Sequence, residues 1–351
     1  MSDTAILNET TPGERAGWAR SAAPWAFGGA MLLSAALVFS LQPMFAKMVL
    51  PRVGGGAAVW TVALVFFQAA LLAGYSYAHF ITSRLSFRRQ IAAHACVLAL
   101  AAFFLPIAVA TGYDAPPESG QGLWLIALFS ASVGAPFAAI SATAPLLQAW
   151  FARKGRTDAH DPYYLYGASN AGSLAALLSF PLFIEPALGA QGQSIAWSVG
   201  FALLAAAIMG CAVLVWRTGA SLNAKPRAVE AGPRAAWRMR GKWALFGLLP
   251  SALLVAATTH ISTDVASAPL LWVIPLALYL SAFILAFQQR TWIPARVQAI
   301  ALPALVAVSL ATTLLNGDWR LLSLTVLGAL WMGAYVSCRA LYDARPEARQ
   351  L

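Results

Sequence analysis

Charge is scarce in this chain of 351 residues: Asp, Glu, Lys and Arg make up 10% of it, against about 25% in soluble domains. That shortage, with 60% hydrophobic residues and a mean hydropathy of +0.69, excludes an ordinary soluble domain. Cysteine is nearly as rare. Cys96, Cys211 and Cys338 lie far apart, in or at the ends of apolar runs, with no C-x-x-C spacing. A disulfide framework and a zinc site are therefore not indicated, and the three read as small hydrophobes packed between helices. His79, His94, His160 and His260 lack metal-ligand spacing, and no nucleophile–base motif stands out. Gly54-Gly55-Gly56 follows Pro51 in a short loop rather than joining a strand to a helix, so it reads as a turn and not a nucleotide cradle. The longest polar stretch, 217–241, is a basic linker too short for a catalytic domain. No cofactor and no metal are expected. Residues 1–23 are polar, and the first apolar run is too long for the core of a cleavable signal.

What is abundant is hydrocarbon-compatible sequence. Apolar runs of about 18 residues or more recur, each long enough to cross a bilayer as a helix. The expected fold is all-α: a polytopic transmembrane helix bundle of about ten spans. They are read at 24–50, 57–82, 90–111, 122–151, 162–185, 193–216, 242–263, 268–288, 293–314 and 320–341. Tryptophan marks many of the ends, among them Trp25, Trp60, Trp150, Trp197, Trp216 and Trp272. Its ring prefers the headgroup layer, which supports the placement.

Orientation follows from the basic residues. With the N-terminus inside, every Lys and Arg except Lys47, Arg52 and Arg320 falls in an inner segment. The positive-inside rule then gives an N-in, C-in protein with an even number of spans, expected in a bacterial inner membrane. The same asymmetry accounts for the net charge of +10 without nucleic acid as a partner. The basic inner face suits contact with anionic lipid.

The linker divides the chain into a tail at 1–23, six spans at 24–216, the linker at 217–241, four spans at 242–341 and a tail at 342–351. A short echo joins the halves. The first span of each carries charge near its outer end, Lys47 in one and His260 with Asp264 in the other. A Trp-led span follows each, Val59-Trp60-Thr61-Val62 and Leu271-Trp272-Val273-Ile274. Internal repeats are a transporter feature, which opens a major-facilitator-like (MFS-like) 6+4 arrangement.

Three constellations are candidates for chemistry. On the second span, Gln68, Tyr75 and His79 share one helical face; this is either ordinary inter-helix hydrogen bonding or a stripe facing water or solute. On the fifth, Tyr163, Tyr166, Asn170 and Ser173 fall on one side, with Ala168 and Gly172 as a small-xxx-small pair. Packing explains them, and so does contact with a solute. At the outer ends, Lys47, Glu185, His260 and Asp264 lie at similar depth. His260 and Asp264 are i,i+4 on one face. Lys47 is placed to pair with Glu185 or Asp264, or else to extend to the headgroups. An ionisable residue within a span is by default a functional-site hypothesis.

The same segments carry a family resemblance. Gln42-Pro43-Met44-Phe45-Ala46-Lys47, Pro51-Arg52-Val53-Gly54-Gly55, Phe66-Phe67-Gln68 and Leu71-Leu72-Ala73-Gly74-Tyr75 with Tyr77-Ala78-His79 resemble bacterial fused major-facilitator/spermidine-synthase proteins. So do Asp161-Pro162-Tyr163, Ser169-Asn170-Ala171-Gly172-Ser173 and His260-Ile261-Ser262-Thr263-Asp264-Val265-Ala266 with Pro269-Leu270-Leu271-Trp272. In that family a polytopic membrane region precedes a Rossmann-like aminopropyltransferase domain. Here the sequence ends at Leu351, soon after its last span, so the resemblance implies the membrane module and puts synthase activity in this sequence in doubt. Ser83-Arg84-Leu85-Ser86-Phe87-Arg88-Arg89 lacks the full facilitator loop pattern.

Two functions are expected from these readings. One is a transporter or permease for a small polar or cationic, polyamine-like solute, with Lys47, Gln68, Tyr75, Tyr166, Asn170, Glu185, His260 and Asp264 as candidate contacts. The other is a non-catalytic membrane module that anchors or feeds a separate spermidine synthase-like aminopropyltransferase. The lipid bilayer is a partner in both.

Overall fold

A computed structural model describes residues 12–54, 57–152, 163–217, 237–261, 263, 273–288 and 290–344. Among the described residues the protein is all helix, with no strand. We number the helical rods in chain order. They are α1 Pro12–Val53, α2 Ala57–Arg84, α3 Phe87–Ala102 and α4 Gln121–Ala152. Rod α5 runs as Tyr163–Ser179, a π turn at Phe180–Ile184, and Glu185–Ala187. There follow α6 Ala190–Arg217, α7 Trp237–His260, α8 Val273–Ala286, α9 Ala295–Leu314 and α10 Trp319–Asp343.

Among the described residues, eight rods are long and apolar enough to cross a membrane: α1, α2, α4, α5, α6, α7, α9 and α10. This points to a multi-pass membrane protein. The other two are shorter. Rod α3 has 16 residues and α8 has 14, so at 1.5 Å per residue they reach about 24 and 21 Å, less than a hydrocarbon core of about 30 Å. The third apolar run, read to residue 111, departs from expectation because its helix stops at Ala102. Proline at 106 pushes Leu105 out of the helical region. The chain then continues as an irregular strap, two of whose backbone groups find side-chain partners. The Ile107 carbonyl accepts from Ser194 Oγ at 2.6 Å, and the Ala110 amide donates to Ser132 Oγ at 3.0 Å. Irregular backbone in an apolar environment is tolerated only where protein satisfies it in this way.

The packing falls into clusters. One large core is drawn from α1 to α6 and centres on Phe27, Phe45, Phe67, Phe129, Phe137 and Trp150. A second joins α8 and α10 through Ala282, Ala286, Ala334, Tyr335 and Cys338. A third, Leu177 with Val273 and Leu280, ties α5 to α8. Lipid chains are as apolar as leucine, so these helices associate through close packing at small residues and through hydrogen bonds. The tightest approach is between α1 and α5: a Cβ on Gly172 would lie 2.1 Å from the Leu32 carbonyl oxygen. A Cβ on Gly74 would lie 2.8 Å from the Ala138 carbonyl oxygen, which sets α2 against α4.

Two tryptophans read as headgroup anchors prove to be core residues. Trp150 is fully buried and donates to Gln90 Oε1 at 3.0 Å, while Gln90 Nε2 donates to the Leu85 carbonyl at 2.8 Å. Trp197 is buried and donates to the Leu37 carbonyl at 3.0 Å. A buried indole N–H needs a partner, and each ring here spends it on joining helices. Trp25, Trp216, Trp292 and Trp319 are exposed. Cys211 and Cys338 are buried, whereas Cys96 faces outward, so it is not the packing residue its apolar setting implied.

Candidate functional site

The site begins with three prolines. Pro24, Pro43 and Pro51 all lie inside α1. Pro43 has no N–H, so the carbonyl four residues back, on Phe39, loses its helical partner and the rod is free to bend there. Lys47 is one turn further on. In α5, Pro181 falls within the π turn and Glu185 is the first residue after it. A straight helix would place Glu185 about 60° from Asn170 around the axis, at about 100° per residue. A π turn takes up one extra residue, which swings Glu185 back by about 100° to the other side of Asn170. That is the side of Tyr166 and Ser173.

The result is an ion pair between the two helices, with Lys47 Nζ 2.5 Å from Glu185 Oε1. The pairing of Lys47 with Glu185 is one of the three alternatives the sequence left open. The lysine is 44% exposed and the glutamate 34%. Where water reaches it, a half-exposed pair of this kind adds about 0–1 kcal/mol to stability.

Below the pair, α5 carries its polar stripe along a seam. Tyr166 is exposed, and Asn170 Nδ2 donates to the Tyr166 carbonyl at 2.8 Å. Asn170 Oδ1 has no partner among the described residues. Ser173 is buried and donates to the Ser169 carbonyl. One and two turns on from Asn170, Leu174 and Leu177 pack with Phe39 of α1 and with Val273 and Leu280 of α8. The face that holds Asn170 therefore runs beside the line where α1, α5 and α8 meet.

The remaining candidates lie elsewhere. Gln68 and Tyr75 are exposed on α2, on the same stripe as His79, and Gln68 makes no hydrogen bond among the described residues. His260, at the end of α7, has Nε2 3.3 Å from Ser323 Oγ of α10. Asp264, and with it the expected His260–Asp264 face, lies outside the described residues.

Two features were not singled out from sequence. The π turns at Ser130–Gly134 and Phe180–Ile184 are one; a proline inside or just after each is the sequence signal. The other is a group of buried polar residues in the first bundle. His94 is fully buried and its ring stacks on Tyr77 at 6.1 Å, yet neither nitrogen has a hydrogen-bond partner among the described residues. The Tyr77 hydroxyl and Thr143 Oγ1 are also buried without partners among the described residues. No protein-family model matches the chain, and no curated protein matches it.

Proposed function

We propose that this is an integral membrane transporter-like protein for a small polar or cationic, polyamine-like solute, set N-in and C-in in a bacterial inner membrane. The observation that carries the reading is the exposed Lys47–Glu185 pair. An internal ammonium on a flexible stem occupies a carboxylate that a primary amine of a solute would recognise by the same charge-assisted hydrogen bond. An entering cation displaces Lys47, and the lysine returns when the solute leaves. Tyr166 and Asn170 on the seam offer polar contacts that an ammonium or amide needs.

Uptake of radiolabelled spermidine and of amino acids into liposomes carrying the purified protein tests this. Uptake is expected under at least one ion gradient, with Glu185→Gln abolishing it. Lys47→Met is expected to tighten cation binding about fivefold, because it removes a competitor whose pair is worth about 1 kcal/mol. If no gradient drives uptake of any of them, the reading fails.

The resemblance to the fused synthase proteins supports a second reading, a membrane module that anchors or feeds a separate aminopropyltransferase. Pull-down of the tagged protein in mild detergent tests it. Recovery of a synthase-like enzyme is the expected result, and its absence counts against the reading.

A further inference from the structure

At the end of the bundle opposite the ion pair, two clefts flank the last turns of α6. One, of about 450 Å³, is walled by Ala26 of α1 with Ala207, Gly210 and Val213 of α6, and Arg217 stands at its mouth. The other, of about 530 Å³, is walled by Ile91 and Ala92 of α3 with Met209 and Val213 of α6, and Arg88 and Trp216 stand at its mouth. Val213 forms a wall of both. Both are open to the surface rather than enclosed. Apart from the arginines, the residues lining them are apolar.

Both guanidinium groups are exposed and have no hydrogen-bond or ion-pair partner among the described residues. Two uncompensated cations at the rims of apolar grooves, with an exposed indole beside one of them, form a sequence of chemistry that matches one kind of molecule. Its tail is hydrocarbon, its neck sits at the depth where tryptophan rings settle, and its head is a phosphodiester, which a guanidinium fork binds in bidentate fashion. Basic pockets between spanning helices hold anionic headgroups for this reason.

We propose that these paired clefts are a binding site for anionic glycerophospholipid, with the acyl chains along Val213 and the phosphates on Arg88 and Arg217. The site belongs to the face on which the basic residues cluster, and it does not depend on transport. Because the clefts share a wall, substitution of Val213 disturbs both at once.

Native mass spectrometry of the full-length protein tests this, with phosphatidylglycerol and phosphatidylcholine of identical acyl chains. The wild type is expected to retain phosphatidylglycerol preferentially. Arg88→Gln and Arg217→Gln are expected to weaken that retention about fivefold each and about 25-fold together, following about 1 kcal/mol per basic residue near a charged surface. Arg88→Lys with Arg217→Lys keeps the charge and is expected to keep most of the preference. Val213→Trp fills the grooves at unchanged charge and is expected to lower retention of both lipids. Equal retention of the two lipids by the wild type would overturn the proposal. So would undiminished phosphatidylglycerol on the double glutamine variant, or its full displacement by inorganic phosphate at equal concentration. Melting temperature and gel-filtration profile, taken without lipid, identify any variant that fails to fold; the lysine pair and Val213→Trp then carry the test.

Discussion

Gly172→Ala is the most informative single change in this molecule, because its outcome is fixed by backbone rather than by side chains. The added Cβ would sit 2.1 Å from the Leu32 carbonyl oxygen and 2.8 Å from the carbonyl carbon. Neither atom can rotate away, so α5 must part from α1 by about 1 Å, an overpacking of the kind that costs about 1–3 kcal/mol. Gly167 is the internal control. It lies in the same helix with nothing within 4 Å of its would-be Cβ, so Gly167→Ala should recover the helix-propensity gain of about 0.5–1 kcal/mol. Gly200→Ala falls between them, since its nearest obstacle is the movable tip of Leu37 at 2.8 Å. The expected order of apparent melting temperature in detergent, followed by tryptophan fluorescence, is Gly167→Ala above wild type, Gly200→Ala near it and Gly172→Ala lowest. Separation of α1 from α5 also pulls on the Lys47–Glu185 pair, so Gly172→Ala should impair any cation binding there and Gly167→Ala should not. If Gly172→Ala melts at or above the wild type, the α1–α5 contact is not the close helix approach argued above.

Three other outcomes follow from the same geometry. In a double-mutant cycle with Lys47→Met and Glu185→Gln, the stability coupling should be no more than about 1 kcal/mol, as expected of an exposed pair; a coupling of several kcal/mol would mean the pair is structural. Gln90→Leu strands the Trp150 indole N–H and the Leu85 carbonyl in the core, and should cost about 1–3 kcal/mol, seen as a lower melting temperature. Trp150→Phe in that background should then cost less than it does alone, because the orphaned donor has gone. His94→Leu removes two buried ring nitrogens that have no partner among the described residues, and should raise the melting temperature; a large loss of stability would show that the imidazole is satisfied by another group.

Hydropathy and charge were legible at the level of single segments. Rods α1, α2, α4, α5, α6, α7, α9 and α10 appear where long apolar runs appear, because a chain without polar residues has no cheap way to satisfy its amides in hydrocarbon except as a helix. The limits were local. The run through 111 is apolar throughout, and hydropathy does not distinguish a helix from a strap sealed by Ser132 and Ser194. Trp150 and Trp197 lie near the ends of apolar runs, as the exposed Trp216 does. Whether an indole meets headgroups or a carbonyl of a facing helix depends on that facing helix.

The candidate site divides in the same way. Lys47 and Glu185 stood out in sequence because each is a charge at the edge of an apolar run, and a shared depth made them possible partners. Their meeting required a π turn that rotates Glu185 by about one residue's worth, and a glycine that lets α5 lie against α1. By itself the sequence determined that this chain partitions as apolar helices, which residues are charged within them, and at which ends the arginines gather; these are properties of composition and period. Only the tertiary structure decided that Lys47 faces Glu185, that Asn170 lies along the seam of α1, α5 and α8, and that Arg88 and Arg217 rim two clefts. Those are relations between helices, set by backbone contacts such as Gly172 on Leu32, and no property of one helix alone contains them.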